Sequence, residues 1–206
     1  MRHLLPGILA MAAIVVASNI LVQVLFGQWL TWGAFTYPLA FLVTDVMNRL
    51  HGPQAARRVV LAGFGVGLLC SFAGTQISGE FGPLVTWRVA VGSGLAFLTA
   101  QLVDVAVFDR LRRGSWWRAP LVSTLVGASL DTAIFFTVAF SGSLSFIAPG
   151  VDVAWANVAL PLLGVGPAVP LWMSLALADL GVKLALALAA LVPFRMLVAR
   201  AAATIT

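Results

Sequence analysis

The stretch PLVSTLVGASLDTAIFFTVAF, residues 120–140, decides the fold. It carries one ionisable side chain, Asp131, in a run long enough to cross a hydrocarbon layer of about 30 Å as a helix. Asp131 lies near the middle of the run, and its side chain is too short to reach either interface. An unpaired charge there costs roughly 2.5–3.5 kcal/mol on insertion scales. A carboxyl is kept at such a depth when it is protonated, paired, hydrated or bound to a ligand. The stretch therefore reads as a membrane helix that turns a polar group toward an internal space.

The remainder of the chain agrees. Of 206 residues, 61% are hydrophobic and 9% charged, with a mean hydropathy of +1.04, where water-soluble domains carry roughly 25% charged residues. An isoelectric point near 11.1 raises nucleic acid as a partner. The arginines, however, are scattered through short connectors between apolar runs, which is an orientation signal, so no nucleic-acid partner is expected. One cysteine, Cys70, excludes an internal disulfide. Arg2 followed by an apolar run imitates a signal peptide, but Leu4 to Phe26 is too long for one and reads as a spanning helix.

Six segments have the length and polarity of membrane helices: about 4–26, 32–48, 59–77, 88–108, 120–140 and 169–194. The expected class is thus all-α: a polytopic integral membrane protein with a single transmembrane domain over residues 1–206. Residues 141–167 are apolar in part but interrupted by Pro149, Gly150, Asp152, Pro161, Gly164, Gly166 and Pro167. They read as an external loop with an interfacial or re-entrant piece, because unpaired backbone cannot face lipid. Arg2, Arg49, Arg57, Arg58, Arg110, Arg112, Arg113, Arg118, Arg195 and Arg200 fall on one side of a six-helix arrangement and only Arg88 on the other. That asymmetry predicts both termini in the cytoplasm. Trp29, Trp32, Trp87, Trp155 and Trp172 would mark the outer interface, Trp116 and Trp117 the inner one. A homo-oligomer is compatible with this reading.

Small residues indicate which faces pack. Gly63, Gly67, Ser71 and Thr75 recur at four-residue spacing in the third segment. Gly92, Ala96 and Ala100 lead to Asp104 in the fourth, and Ser123 and Gly127 lead to Asp131 in the fifth. Such stripes let helices approach closely, so each carboxylate at their end is expected to face protein. Asp45 has two readings, a ligand contact or a local pair with Arg49 at i+4. Asp104, with Gln101 one turn away, is either part of a donor–acceptor set for a heterocycle or an interface carboxylate near Arg110 or Arg112. Asp179 and Lys183, at i and i+4, form a local ion pair or let Lys183 reach Asp131 or a ligand across a cavity.

Other chemistries lack their residues. His3 and His51 lie in terminal and loop positions, no HExxH pattern exists, and no GxxxxGK[ST] phosphate loop is present. Gly63, Gly65 and Gly67 lie inside an apolar helix, where they serve packing. Ser93, between Gly92 and Gly94, has no membrane histidine to activate it. Neither an enzyme, a metal site nor a cofactor is expected.

The run Tyr37-Pro38-Leu39-Ala40-Phe41-Leu42-Val43-Thr44-Asp45, followed by Asn48, Gly52, Ala56, Arg57 and Arg58, resembles the second helix of the queuosine precursor transporter family, also described as vitamin uptake transporters. The likeness continues through Gln101-Leu102-Val103-Asp104-Val105, Phe108, Asp109, Arg112, Trp117-Arg118 and Ser123-Thr124. It then takes in Asp131-Thr132-Ala133-Ile134-Phe135 and Ala139-Phe140, and in the last helix Lys183 and Pro193. It covers about residues 36–195. The family usually has an acidic residue where Arg49 stands and a tyrosine where His51 stands, and Asp179 is not part of its pattern.

The resemblance implies import of 7-cyano- and 7-aminomethyl-7-deazaguanine for making queuosine in tRNA, and with the charge asymmetry it implies a bacterial inner-membrane location. The substrate-binding residues expected on this basis are Asp45, Asn48, Gln101, Asp104, Asp131, Phe135 and Lys183, with the ligand among the second, fourth, fifth and sixth segments. Carboxylates would accept from the amide edge and exocyclic amine of the base, Asn48 and Gln101 would serve its carbonyl and ring nitrogens, and Phe135 or Phe108 would stack on its face. Asp131 or Asp179 would be the titrating group of a proton-coupled version. A different reading is the substrate-binding subunit of an energy-coupling-factor vitamin importer, whose first helix docks ATPase partners through small residues such as Ala13 and Ala17.

Overall fold

The computed structural model describes residues 2–80 and 82–203. A short 3-10 turn, Arg2–Leu4, leads into α1 (Leu5–Leu21); α2 (Gly33–Thr36) and α3 (Leu39–His51) follow. Then come α4 (Pro53–Gln76), α5 (Trp87–Leu111), α6 (Arg118–Phe140) and α7 (Leu171–Ala203). Three antiparallel two-residue to three-residue ribbons join them: β1 (Leu25–Phe26) with β2 (Leu30–Thr31), β3 (Ser78–Gly79) with β4 (Gly82–Pro83), and β5 (Ala159–Pro161) with β6 (Ala168–Pro170). Among the described residues, four helices are long and apolar enough to cross a membrane: Pro53–Gln76, Trp87–Leu111, Arg118–Phe140 and Leu171–Ala201. The chain is a helical membrane protein.

Local chemistry sets several boundaries. Gly52 adopts φ +82 and its N–H caps α3 at the Asn48 carbonyl, a left-handed closure that glycine supplies without strain. Pro53 then opens α4 at a position where no amide hydrogen is needed. A single glycine thus reverses the chain between α3 and α4. Thr86 caps α5 by accepting from the Val89 N–H at 3.3 Å.

The observed ends differ from those expected. The first helix stops at Leu21 instead of about Phe26, because the following residues pair as the β1–β2 ribbon around Gly27 at φ +68. The second segment is not one helix over 32–48. It breaks at Tyr37–Pro38, where proline has no N–H for the ladder, and then runs on to His51. α4 begins at Pro53, so Arg57 and Arg58 lie within it as exposed side chains. α7 continues through Pro193 to Ala203. The stretch after α6 holds three 3-10 turns and the β5–β6 ribbon. Asn157 ties it to α6, donating to the Phe140 carbonyl at 2.9 Å and accepting from the Gly142 N–H at 3.0 Å.

The two ends of the bundle have different chemistry. At one end the His3 and His51 rings meet at 5.2 Å, Arg49 donates to the Arg112 carbonyl at 2.6 Å, and Arg195 lies over the Trp116 ring at 5.0 Å. At the other end Gln23 donates to the Leu84 carbonyl at 3.4 Å. There Arg88, 1% exposed, donates to the carbonyls of Val138 (2.9 Å and 3.1 Å) and Ser141 (2.7 Å). Arg88 is the one arginine that the charge count assigns to that end, and it closes the last turn of α6, whose carbonyls have no partners within the helix.

The apolar core lies among α1, α3, α4 and α5 and includes Met11, Val15, Ala40, Met47, Val59, Val60, Phe97 and Val105. The small-residue stripes on α5 and α6 are buried. At Gly127 an added Cβ would lie 3.3 Å from both the Ala100 carbonyl and Asp104 Cβ, so the two backbones approach as closely as small residues permit.

Candidate functional site: a cavity bounded by a buried ion triplet

Lys183 on α7 is 3% exposed, yet every proton of its ammonium has an acceptor. Nζ lies 2.7 Å from Asp131 Oδ2, 2.5 Å from Asp179 Oδ2 and 3.0 Å from Thr132 Oγ1. Thr132 in turn donates a hydrogen bond to Asp179 Oδ2 at 2.8 Å. Asp131 receives a second donor, the Tyr37 hydroxyl at 2.9 Å on Oδ1. The Lys183 ammonium also lies 5.5 Å from the centre of the Tyr37 ring, within cation–π range. Both sequence readings of Lys183 hold together: it pairs locally with Asp179 and reaches across to Asp131. Three ionised groups of this set would sum to one negative charge in a layer where an unpaired charge is expensive.

The triplet forms part of the wall of a cavity of about 140 Å³. α1 contributes Val15, Ser18 and Asn19; α4 contributes Phe64, Gly67 and Ser71; α5 contributes Ser93, Gly94 and Phe97. Asp131 and Phe135 of α6, Asp179 and Lys183 of α7, Tyr37, and Gly33 and Ala34 of α2 also line it. Asp179 is the most open of the ionised groups, with its side chain 14% exposed. The wall thus offers three phenyl rings, an ammonium, two carboxyls, a phenol, the Asn19 amide and several small hydroxyls, against an otherwise apolar lining.

Of the residues expected in one site, Asp131, Phe135 and Lys183 line the cavity together with Asp179. Asp45, Asn48, Gln101 and Asp104 do not. They form a separate closed layer toward the basic end, each 3% exposed or less. There Ser123 and Thr124 each donate to Asp45 at 3.2 Å, Thr44 Oγ1 lies 2.6 Å from Gln101 Oε1, and Asn48 donates to the Val105 carbonyl at 3.0 Å. Phe108 is fully buried against Phe194, with ring centres 6.2 Å apart, and presents no face to the cavity. The cavity also draws on α1 and α4, which lie outside the four segments expected to surround the ligand.

Two local pairings considered from sequence do not form. Arg49 turns from Asp45 to the Arg112 carbonyl and stacks over Phe108 at 5.3 Å and Phe194 at 6.0 Å. Arg112 pairs with Asp109 at 3.2 Å and not with Asp104. Tyr37, the wall residue bonded to the triplet, is among those that sequence reasoning left out of the site. Its signal was present: it is the chain's single tyrosine, placed directly before a proline inside an apolar segment. The break at Pro38 is what turns its hydroxyl toward α6.

A family model described as "Putative vitamin uptake transporter" matches residues 31–198. The chain belongs to that family. Among curated proteins the chain is similar to the "Queuosine precursor transporter" of Escherichia coli strain K12, 39% identical over 141 residues that cover 62% of this chain and 64% of the relative. A "Probable queuosine precursor transporter" of Haemophilus influenzae is 34% identical over 154 residues, 62% of this chain and 65% of the relative. One of that same name from Bacillus subtilis strain 168 is 36% identical over 138 residues, 57% and 59%. The alignments thus span less than two thirds of the length of each of these relatives. No solved structure matches the chain. The family match runs from just before Tyr37 to just beyond Arg195, and so includes every ionised group of the cavity wall.

Proposed function

We infer that this protein is a plasma-membrane importer of 7-deazaguanine precursors of queuosine, working as one domain of six crossings with both termini in the cytoplasm. The observation that carries the reading is the Asp131–Lys183–Asp179 triplet in the wall of an otherwise apolar cavity. Ion pairs inside a membrane protein mark binding sites and pathways, and the family relatives bear the name of queuosine precursor transporters. The cavity volume is close to that of an engineered cavity of about 150 Å³ that admits benzene. Its open side gives a bicyclic base the additional room.

In this reading Phe135 stacks on the base, and Asp179 and Asp131 accept from its amine and ring N–H edge. Lys183 donates to its carbonyl once the base competes for the carboxylates. A wall with one surplus negative charge suits an edge rich in N–H donors, and a cationic aminomethyl arm more so. The closed layer of Asp45, Asn48, Gln101 and Asp104 is the inner gate, and the structure is the outward-open state. The clustering of Arg49, Arg112 and Arg195 at the gate end supports that orientation.

The reading is tested by reconstituting the chain alone in liposomes with radiolabelled precursors. Uptake of a deazaguanine without any ATPase partner supports it. Binding without uptake favours an energy-coupling-factor subunit, and neither binding nor uptake overturns both. Orientation is tested in cells on a Cys70→Ser background. Gln54→Cys, at the exposed start of α4, should react with an impermeant maleimide only after lysis, and Ser143→Cys in intact spheroplasts.

A further inference from the structure

The inner layer contains two carboxyl groups that the triplet does not use. Asp45 on α3 and Asp104 on α5 are 3% and 0% exposed, and the two carboxyls face each other. Asp45 accepts from the Ser123 and Thr124 hydroxyls. Neither Asp104 oxygen receives an N–H or O–H from any described residue, and Asn48 Oδ1 in the same layer is also without a donor. Among the described residues no cation forms an ion pair with either carboxyl, although the Arg49 charge acts on Asp45 from a distance. On α3 itself Arg49 is engaged by the Arg112 carbonyl and two aromatic faces. α6 presents the Ser123 and Thr124 hydroxyls, and α7 borders the void beside Asp45 with the apolar side chains of Leu186, Ala187, Ala190, Leu191 and Phe194. On α7 Lys183 and Asp179 belong to the triplet and Arg195 lies over Trp116, while Arg57 and Arg58 of α4 are exposed.

Two carboxylates in contact, desolvated and without an ion-paired cation, repel each other strongly, and the usual resolution is one proton held between them. Two carboxyl oxygens can bond to each other only through such a proton. We propose that Asp45 and Asp104 share one proton, and that this pair is the ion-coupling site of the transport cycle. The triplet is the poorer carrier, because Lys183 already compensates its carboxyls. In the state seen here the pair is shut from water apart from a void of about 10 Å³ beside Asp45, about the room of one water. When the inner ends of α3 and α5 part, hydration lets the acid release its proton to the cytoplasm as a carboxylate forms. Reprotonation from outside, with no electron transfer, resets the cycle.

The coupling role rests on the importer reading, whereas the shared proton does not, and two measurements separate them. Infrared spectroscopy of the purified protein at neutral pH should show the C=O stretch of a buried carboxylic acid. Asp45→Asn and Asp104→Asn should each lose it, and Asp131→Asn and Asp179→Asn should keep it. In liposomes, an inside-alkaline gradient should drive accumulation of labelled 7-aminomethyl-7-deazaguanine by the wild type. Asp104→Asn should exchange the base across the membrane but lose accumulation, and Asp45→Asn is the second variant should Asp104→Asn fail to fold. Absence of the acid band from the wild type, or its survival in both inner-layer variants, overturns the shared proton. Accumulation driven by sodium, or accumulation retained by both variants, overturns the coupling role. A wild type that exchanges no deazaguanine refutes the importer reading, with the infrared result still deciding the pair.

Discussion

Lys183 Nζ lies 2.7 Å from Asp131 Oδ2, joining α7 to α6 across fifty-two positions of sequence. The bond makes the two helices electrostatic partners inside the apolar layer and holds both side chains at the cavity wall.

Removing one partner of such a pair leaves an uncompensated buried charge, which costs about 3–5 kcal/mol in protein interiors. Lys183→Ala strands two carboxyls and should lower the thermal unfolding temperature in detergent more than Asp131→Asn, which leaves Lys183 with Asp179. Both variants should insert and both should lose uptake. Normal transport by both would remove the pair from the site.

Tyr37→Phe keeps the ring against the Lys183 ammonium and deletes only the donor to Asp131 Oδ1. Loss of one hydrogen bond to a charged group amounts to about 1.5–3 kcal/mol. Precursor affinity by equilibrium binding should weaken by about tenfold or more, with expression unchanged. An unchanged Kd would show that the hydroxyl does not orient Asp131.

Arg88→Gln should destabilise the fold without altering which precursor is preferred. The guanidinium satisfies carbonyls at the last turn of α6, far from the ionised groups, so the expected loss is about 1.5–3 kcal/mol. Thermal unfolding and competition binding on one sample check both halves. A changed precursor preference would place Arg88 in the site.

Gly127→Val tests the close approach of α5 and α6. A Cβ at Gly127 would lie 2.7 Å from Phe41 Cε1 and 3.3 Å from the Ala100 carbonyl, so added volume must push the helices apart at a cost of typically about 1–3 kcal/mol. Because Asp104 lies against that crossing, transport should fall more than precursor binding. Full transport activity would show that the crossing opens freely.

Much of the architecture was legible in one dimension. A bilayer admits only helices of sufficient apolar length, so the hydropathy of residues 120–140 and of the third, fourth and last segments marks them without knowledge of their neighbours. The isolation of Asp131 and Lys183 in such runs marked them as partnered side chains for the same reason. Boundaries set by caps and prolines were less legible, as with α1, which stops early when a ribbon competes for its last turn.

Which polar groups meet was decided by the tertiary structure. Residues at equal depth share a layer, but helix rotation selects their partners, and rotation follows from how Gly92, Ala96 and Ala100 of α5 pack against α6. That packing placed Asp104 before Asp45 and away from the cavity, although the sequence groups Asp104 with Asp131 equally well. The break at Pro38 brought Tyr37 to Asp131, a contact that spacing along the chain cannot encode because it depends on the angle between two helix pieces.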